Sequence, residues 1–253
     1  MITRVLFVAL KIVVCSAFII MSTSHAVAQT TEGGYKIYKP SGPGPHPAMI
    51  FLGGCSGYSP YFAPKHYEQV AEKFRAKGHV VVFADYLARL GKPNCLGVDV
   101  LDAAGVLLEA TAWLKSQSSI DPARITAIGW SFGGGAILAA VNKFSTQQLI
   151  FSRAIVYYPA CGGLWGEWKP KVPVLMLLAG EDTVARHERC KDAVQGSATP
   201  IVVKIVIYPD ALHCFDMSEL PPRTFYEFGT IGYHPQAAAA AWEEIEKFLQ
   251  PAK

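Results

Sequence analysis

Short continuous apolar runs alternate along this chain with longer helix-like stretches, and this alternation constrains the fold more than any other feature of the sequence. Each run is too short for a helix and is rich in Val, Ile or aromatic residues, as expected of strands buried on both faces. We therefore expect an α/β fold with a mainly parallel central sheet and helices on both faces. The predicted strands are Ala48–Leu52, Val80–Ala84, Ile125–Gly129, Ala154–Tyr158, Val174–Ala179 and Val202–Tyr208. The predicted helices are Ala63–Lys77, Val98–Gln117, Gly134–Asn142, Ala185–Val194 and Gln236–Leu249.

The composition excludes several other classes of protein. Of the 253 residues, 51% are hydrophobic and 17% are charged, which is typical of globular proteins and excludes disorder, collagen and coiled coil. The formal net charge of +3 and the absence of basic or acidic runs argue against nucleic acid as a partner. No linker or repeat interrupts the pattern after residue 47, so we expect one domain over residues 29–253.

The first 28 residues are typical of a secretion signal. Met1–Arg4 is basic, Val5–Met21 is mainly apolar, and Ala26–Ala28 supplies an A-x-A cleavage site. A retained membrane anchor is the alternative, although Lys11 interrupts an apolar run that is already marginal in length. We expect cleavage before Gln29, a periplasmic or secreted location, and no stable membrane association afterwards.

The segment Gly129–Gly133 has the pattern G-x-S-x-G and lies between a predicted strand and a predicted helix. The pattern alone is weak, but this context indicates a nucleophile elbow, a sharp turn that lifts a serine hydroxyl above the sheet. The flanking glycines allow neighbouring backbone to approach without a Cβ clash. Ser131 is therefore the candidate nucleophile.

A serine nucleophile needs a general base, and that base needs an orienting acid. Asp182 follows the predicted strand Val174–Ala179, and His213 follows Val202–Tyr208. The chain order Ser131, Asp182, His213 is that of α/β-hydrolases, whose sites lie at the carboxyl ends of the strands. Taken singly, the aspartate would equally suit a loop or cap and the histidine a structural contact, but together they predict a catalytic triad.

An oxyanion hole needs two backbone N–H donors, normally the one after the nucleophile and one from a loop after an early strand. Phe132 supplies the first. The glycine-rich segment Gly53–Gly57 follows the first predicted core strand, and the N–H of Cys55 is the second candidate. A plain tight turn is the alternative for this segment.

Four stretches of the chain resemble the dienelactone hydrolase family of α/β-hydrolases. They are Gly53–Gly57, Asp85–Arg89, Gly129–Gly135 and Tyr208–Asp216, the last being similar to the family ending Y-P-x-x-x-H-x-F. The resemblance implies hydrolysis of lactones or small carboxylic esters without a cofactor, and it implies that Arg89 binds a substrate carboxylate. The best-known members use a cysteine nucleophile and a glutamate where this chain has Ser131 and Gly54.

The pocket should be walled by short loops, because the connection between the strands Ala154–Tyr158 and Val174–Ala179 leaves no room for a cap domain. Lys92 and Arg186 are alternatives to Arg89 as the cation that binds a carboxylate. Aromatic residues are the other candidates for contact with substrate, although each of them would also suit the core. These aromatic candidates are Trp130, Trp165, Trp168, Phe225, Tyr226 and Tyr233, of which we favour Trp130, Trp165 and Tyr226.

An oxidising compartment would let the cysteines pair, and five of the six follow the predicted cleavage site, so one stays free. We predict a disulfide from Cys55 to Cys95, in loops after neighbouring strands, and one from Cys161 to Cys190, with Cys214 reduced. Five free thiols are the alternative. The spacing fits neither C-x-x-C nor a Cys/His zinc site, so we expect no structural metal.

The sequence predicts an exported serine hydrolase that cleaves small esters or lactones through an acyl-enzyme. An acyltransferase, a thioesterase or a peptidase could use the same triad. A non-catalytic binding protein with this fold is the alternative from a different class, although such proteins usually lack Ser, His or the acid. The sequence does not indicate an oligomeric state.

Overall fold

The computed structural model describes residues 29–144, 148, 151–163, 168–195 and 201–250. Its central feature is an eight-stranded sheet made of β1 (Gln29–Glu32), β2 (Tyr35–Tyr38), β3 (His46–Leu52), β4 (Val80–Phe83), β5 (Ile120–Trp130), β6 (Arg153–Tyr157), β7 (Val174–Ala179) and β8 (Val203–Tyr208). The two pairings at the β1 edge are antiparallel, and the five from β4 to β8 are parallel. Across the sheet the strands lie in the order β1-β2-β4-β3-β5-β6-β7-β8. A separate antiparallel hairpin joins β9 (Thr224–Tyr226) to β10 (Gly229–Ile231).

Helices cover both faces of the sheet, because successive residues of each buried strand point to opposite sides. In β3, Ile50 lies in the same buried cluster as residues of α3 (Val100–Lys115) and α4 (Ser131–Lys143), whereas Phe51 shares a cluster with residues of α1 (His66–Ala76) and α6 (Pro235–Leu249). The prediction of a mainly parallel sheet with helices on both faces is therefore confirmed. The helices are α1 (His66–Ala76), α2 (Tyr86–Leu90), α3 (Val100–Lys115), α4 (Ser131–Lys143), α5 (Glu188–Gln195) and α6 (Pro235–Leu249).

The connection between β6 and β7 is short. Its described parts, 158–163 and 168–173, contain a single 3₁₀ turn at Cys161–Gly163. The carboxyl ends of β5, β7 and β8 thus lie next to loops that carry no inserted domain within the described residues. Within the described residues, short loops therefore surround the end of the sheet where Ser131 lies.

Both predicted disulfides are present in the structure. Cys55 is bonded to Cys95 and Cys161 to Cys190, while Cys214 is free and buried. None of the helices in the described residues is sufficiently long and apolar to span a membrane. The predicted secretion signal, residues 1–28, lies outside the described residues.

Candidate active site

The elbow is built where β5 ends at Trp130 and α4 begins at Ser131. Ser131 has a φ of +50°, a left-handed conformation that is uncommon for a residue other than glycine. Gly133 lies against the end of β3. A Cβ atom at this position would lie 2.3 Å from the carbonyl oxygen of Gly53 and 2.5 Å from that of Leu52. The turn therefore requires glycine at position 133, as the G-x-S-x-G pattern predicts.

The three predicted triad residues lie in one hydrogen-bonded chain. His213 Nε2 is 2.9 Å from Ser131 Oγ, and His213 Nδ1 is 2.7 Å from Asp182 Oδ2. The imidazole and the carboxylate are both buried. The second oxygen of the carboxylate accepts the backbone N–H groups of Val184 and Ala185 at 2.8 Å each. Asp182 is thus held from both sides and presents one oxygen to the imidazole.

Two buried tyrosines and a disulfide hold the glycine-rich loop beside Ser131. The Gly54 N–H donates to the Tyr67 hydroxyl at 3.0 Å, and the Tyr86 hydroxyl donates to the Gly54 carbonyl at 2.8 Å. A Cβ atom on Gly54 would lie 3.6 Å from the Ser131 Cβ, so the loop backbone runs directly past the nucleophile. Cys55 follows at once and is tied to Cys95. Burial raises the pKa of both tyrosines, which stay neutral at physiological pH.

The other predicted oxyanion donor, the N–H of Phe132, lies in the first turn of α4. N–H groups in the first turn of a helix have no partner within the helix, and they carry the positive end of its dipole. Cys55 lines the pocket together with Ser131, and Phe132 follows Ser131 directly in the first turn of α4.

A small pocket opens above Ser131, with a free volume of about 40 Å³. Its walls are mainly apolar, and among the described residues that line it there is no lysine or arginine. The hairpin of β9 and β10 forms one wall, and the Tyr226 hydroxyl lies 3.0 Å from that of Ser56. Further lining residues are Phe62, Tyr67, Val184, Met217, Phe228 and Ile231.

Arg89 does not lie at this pocket, which corrects the expectation drawn from the family resemblance. Its guanidinium Nε donates to Glu109 at 3.0 Å on the outer surface, where 63% of the arginine side chain is exposed. The alternatives, Lys92 and Arg186, are also missing from the pocket lining. Arg186 lines a neighbouring depression together with Arg189.

Two of the six predicted aromatic residues line the pocket in the structure, namely Trp130 and Tyr226. Trp168 belongs to the core and donates its indole N–H to the Leu138 carbonyl. Phe225 is exposed, and neither Phe225 nor Tyr233 lines the pocket. Trp165 lies outside the described residues.

Tyr158 is a pocket residue that the sequence analysis missed. Its ring centroid lies 4.5 Å from that of the His213 imidazole, and it lines the pocket. The only signal in the sequence was its position at the end of a predicted strand. Within the described residues, no group of three or more His, Cys, Asp or Glu side chains is placed to hold a metal ion.

A family model described as the dienelactone hydrolase family matches residues 34–253. The chain belongs to the dienelactone hydrolase family. This confirms the relationship inferred from the four sequence stretches, and with it the α/β-hydrolase fold. The family match begins at Gly34, in the turn between β1 and β2, and includes all the candidate site residues.

Solved structures agree on the fold. A putative dienelactone hydrolase from Klebsiella pneumoniae subsp. pneumoniae MGH 78578 is 18% identical, with a TM-score of 0.67 over 85% of this chain and 92% of that chain. Thermogutta terrifontis esterase 2 phosphorylated by paraoxon is 20% identical, with a TM-score of 0.63 over 87% and 90%. The propionate-bound form of this esterase is 20% identical, with a TM-score of 0.62 over 87% and 91%.

A curated protein also matches part of the chain. Lipase 1 of Moraxella sp. (strain TA144) is 29% identical over 97 residues, which is 38% of this chain. The aligned segment spans 28% of the length of that lipase.

Proposed function

We propose that this protein is a serine hydrolase that cleaves small carboxylic esters through Ser131, His213 and Asp182. The observation that carries the proposal is the chain of two hydrogen bonds, 2.9 Å and 2.7 Å long, from the serine hydroxyl through the imidazole to the carboxylate. Membership of the dienelactone hydrolase family supports the same class of reaction. The esterase and lipase similarities agree with it.

In the proposed mechanism, His213 Nε2 removes the Ser131 proton as Oγ attacks the ester carbonyl carbon. Asp182 accepts a hydrogen bond from Nδ1 and stabilises the imidazolium that forms. The Cys55 and Phe132 N–H groups bind the oxyanion of the tetrahedral intermediate. The imidazolium then gives its proton to the leaving alcohol, and a water molecule activated by the same imidazole hydrolyses the acyl-enzyme.

The pocket favours a short, uncharged acyl group. A free volume of about 40 Å³ is far below the several hundred Å³ typical of sites for drug-sized ligands. Because no lysine or arginine lines the described part of the pocket, a carboxylate on the acyl chain would lose its hydration without gaining an ion pair. We therefore propose neutral short-chain esters, rather than carboxylate-bearing lactones, as substrates.

The two disulfides support a place of action outside the cytosol. The Cys55–Cys95 and Cys161–Cys190 disulfides are stable in an oxidising compartment and rare in the cytosol. Together with the secretion signal predicted over residues 1–28, they lead us to propose that the enzyme acts in the periplasm or outside the cell. We propose that the mature enzyme is one domain over residues 29–253.

The experiment that tests this function combines covalent labelling with turnover. A fluorophosphonate should label the purified protein once, and Ser131→Ala should abolish both the label and hydrolysis of a short chromogenic ester while keeping the fold. Ser116→Ala, at an exposed serine after α3, is the matched control and should keep both. Losing a triad member typically removes several orders of magnitude of rate, so near-normal turnover by Ser131→Ala would refute the proposal.

A series of neutral chromogenic esters of increasing acyl length tests the substrate class. We expect kcat/KM to fall once the acyl chain exceeds about four carbons. Added alcohols, thiols or amines as competing acceptors would divert the acyl group if the protein were mainly a transferase. Unchanged release of free acid in their presence supports hydrolysis.

A further inference from the structure

A second carboxylate with a buried side chain, Asp216, contacts neighbours of the proposed triad and has no part in the mechanism above. Only 7% of its side chain is exposed. Its Oδ1 accepts a hydrogen bond from the Tyr158 hydroxyl at 2.5 Å, and its Oδ2 accepts one from the Trp130 indole N–H at 2.8 Å. His66 Nε2 lies 3.3 Å from the same Oδ2. Three side chains from three separate segments thus meet at this carboxylate.

The hydrogen-bond donors to this carboxylate also adjoin the reacting groups. Trp130 is the last residue of β5 and directly precedes Ser131. The Tyr158 ring packs on the His213 imidazole, with the ring centroids 4.5 Å apart. Asp216 therefore connects the segment that carries the nucleophile to the ring that packs against the base.

Burying a carboxylate is expensive, and apolar packing alone would stabilise this region at lower cost. Burial tends to raise the pKa of Asp216, but the nearby His66 and the hydrogen bonds from Tyr158 and Trp130 outweigh it and hold the pKa below its usual range. The group is thus an ionised acceptor of two directional hydrogen bonds. Such bonds fix the orientation of a ring, whereas apolar contacts do not.

The backbone at Tyr158 needs such a restraint. Its φ is +34°, an unfavourable value for an aromatic residue, and sparsely populated conformations persist only where the surroundings hold them. The Tyr158 N–H is bonded to the Leu177 carbonyl at 2.8 Å, which fixes one end of the residue. The hydrogen bond from its hydroxyl to Asp216 fixes the other end.

We propose that Asp216 is a positioning residue for His213 and Ser131. Through Tyr158 it holds the face against which the imidazole packs, and through Trp130 it holds the residue before the nucleophile. Both contacts keep His213 Nε2 directed at Ser131 Oγ. This proposal rests on the proposed function of the triad.

The test compares Asp216→Asn and Tyr158→Phe with Asp121→Asn. The asparagine keeps the size of the side chain but removes the charge and one acceptor, and the phenylalanine keeps the ring that packs on His213 but removes its anchor. Asp121 lies at the opposite end of β5 and pairs with Arg124, so its asparagine variant is the matched control. A fluorophosphonate titrates the reactive serine in each preparation, and kcat is expressed per titrated serine.

We expect both variants at the carboxylate to lower kcat per titrated serine about tenfold or more, with KM within about twofold, since misplacing a reacting group slows the chemistry rather than the binding. The control should match wild type. If activity falls only in proportion to the titratable serine, Asp216 is merely structural and the proposal is wrong. Should Asp216→Asn fail to fold, Tyr158→Phe decides the matter by the same ratio. Failure of the proposed function would appear separately, as wild-type protein that neither labels nor turns over.

Discussion

Gly133→Ala should destabilise the protein although alanine is the better helix former. The new Cβ would lie 2.3 Å from the Gly53 oxygen and 2.5 Å from the Leu52 oxygen, distances that real Cβ atoms essentially never show. Both oxygens belong to buried backbone at the end of β3, which cannot turn aside as a flexible side chain would. Overpacking costs about 1–3 kcal/mol, and rigid backbone favours the upper end of this range. Helix propensity returns about 1 kcal/mol, so we expect a net loss of about 2 kcal/mol in the free energy of unfolding.

Gly105→Ala is the matched control, because this glycine lies inside α3 and a Cβ there would meet nothing within 4 Å. It should raise the free energy of unfolding by up to about 1 kcal/mol. Denaturant unfolding followed by circular dichroism measures both values. The Gly133 variant should also lose kcat, since Gly53 leads into the loop that carries the Cys55 N–H. A Gly133→Ala protein as stable as wild type would show that the contact between elbow and loop is not tight, and would refute the reasoning.

Three further predictions follow from the same contacts. Replacing both Cys55 and Cys95 by serine should lower the free energy of unfolding by about 2–4 kcal/mol, as measured by denaturant unfolding. In ester kinetics it should lower kcat more than it raises KM, because the disulfide holds the proposed oxyanion loop. A kcat equal to that of wild type would contradict this role. Arg89→Ala should leave the ratio of kcat/KM for anionic and neutral esters unchanged, and a selective loss for the anionic ester would contradict the placement of this side chain on the outer surface. Burial raises the pKa of several tyrosines in the folded protein. Their contribution to the free energy of unfolding should be complete below the unfolded pKa of about 10 and be lost as the pH rises through the folded values. Ultraviolet difference titration should detect the ionisation of these tyrosines only when the protein unfolds. These tyrosines are Tyr58, Tyr67, Tyr157 and Tyr158.

The central sheet was predictable because its strands are buried on both faces. The strand β7 was predicted with the bounds that it has in the structure, and β4 to within one residue. Such runs of six or fewer apolar residues are too short for a typical helix and are typical of buried strands. The hairpin of β1 and β2 was missed. Gln29–Glu32 is short, polar and mainly exposed, so its extended conformation depends on pairing with β2 rather than on any local preference.

The proposed catalytic residues were predictable for a different reason, namely that each follows the end of a core strand. The walls of the pocket were not, because they come from segments far apart in the sequence. Arg89 illustrates the limit. In the structure its motif forms a short helix capped by Asp85, which was not predicted, and the guanidinium is directed towards Glu109, a residue of another helix, α3. A local motif determines the backbone, whereas side-chain direction depends on tertiary neighbours.

Backbone strain is concentrated around the reacting groups. Among the described residues, the non-glycine positions with positive φ include Ser131, Tyr158 and Cys214, and all three line the pocket. Conformations of this kind cost about 1–3 kcal/mol each and persist only where neighbouring contacts hold them. Apolar burial supplies stability but no direction, whereas hydrogen bonds to a fixed acceptor supply both. This requirement gives a physical reason for Asp216, an ionised carboxylate outside the pocket lining, in a core where an apolar side chain would be less costly to bury.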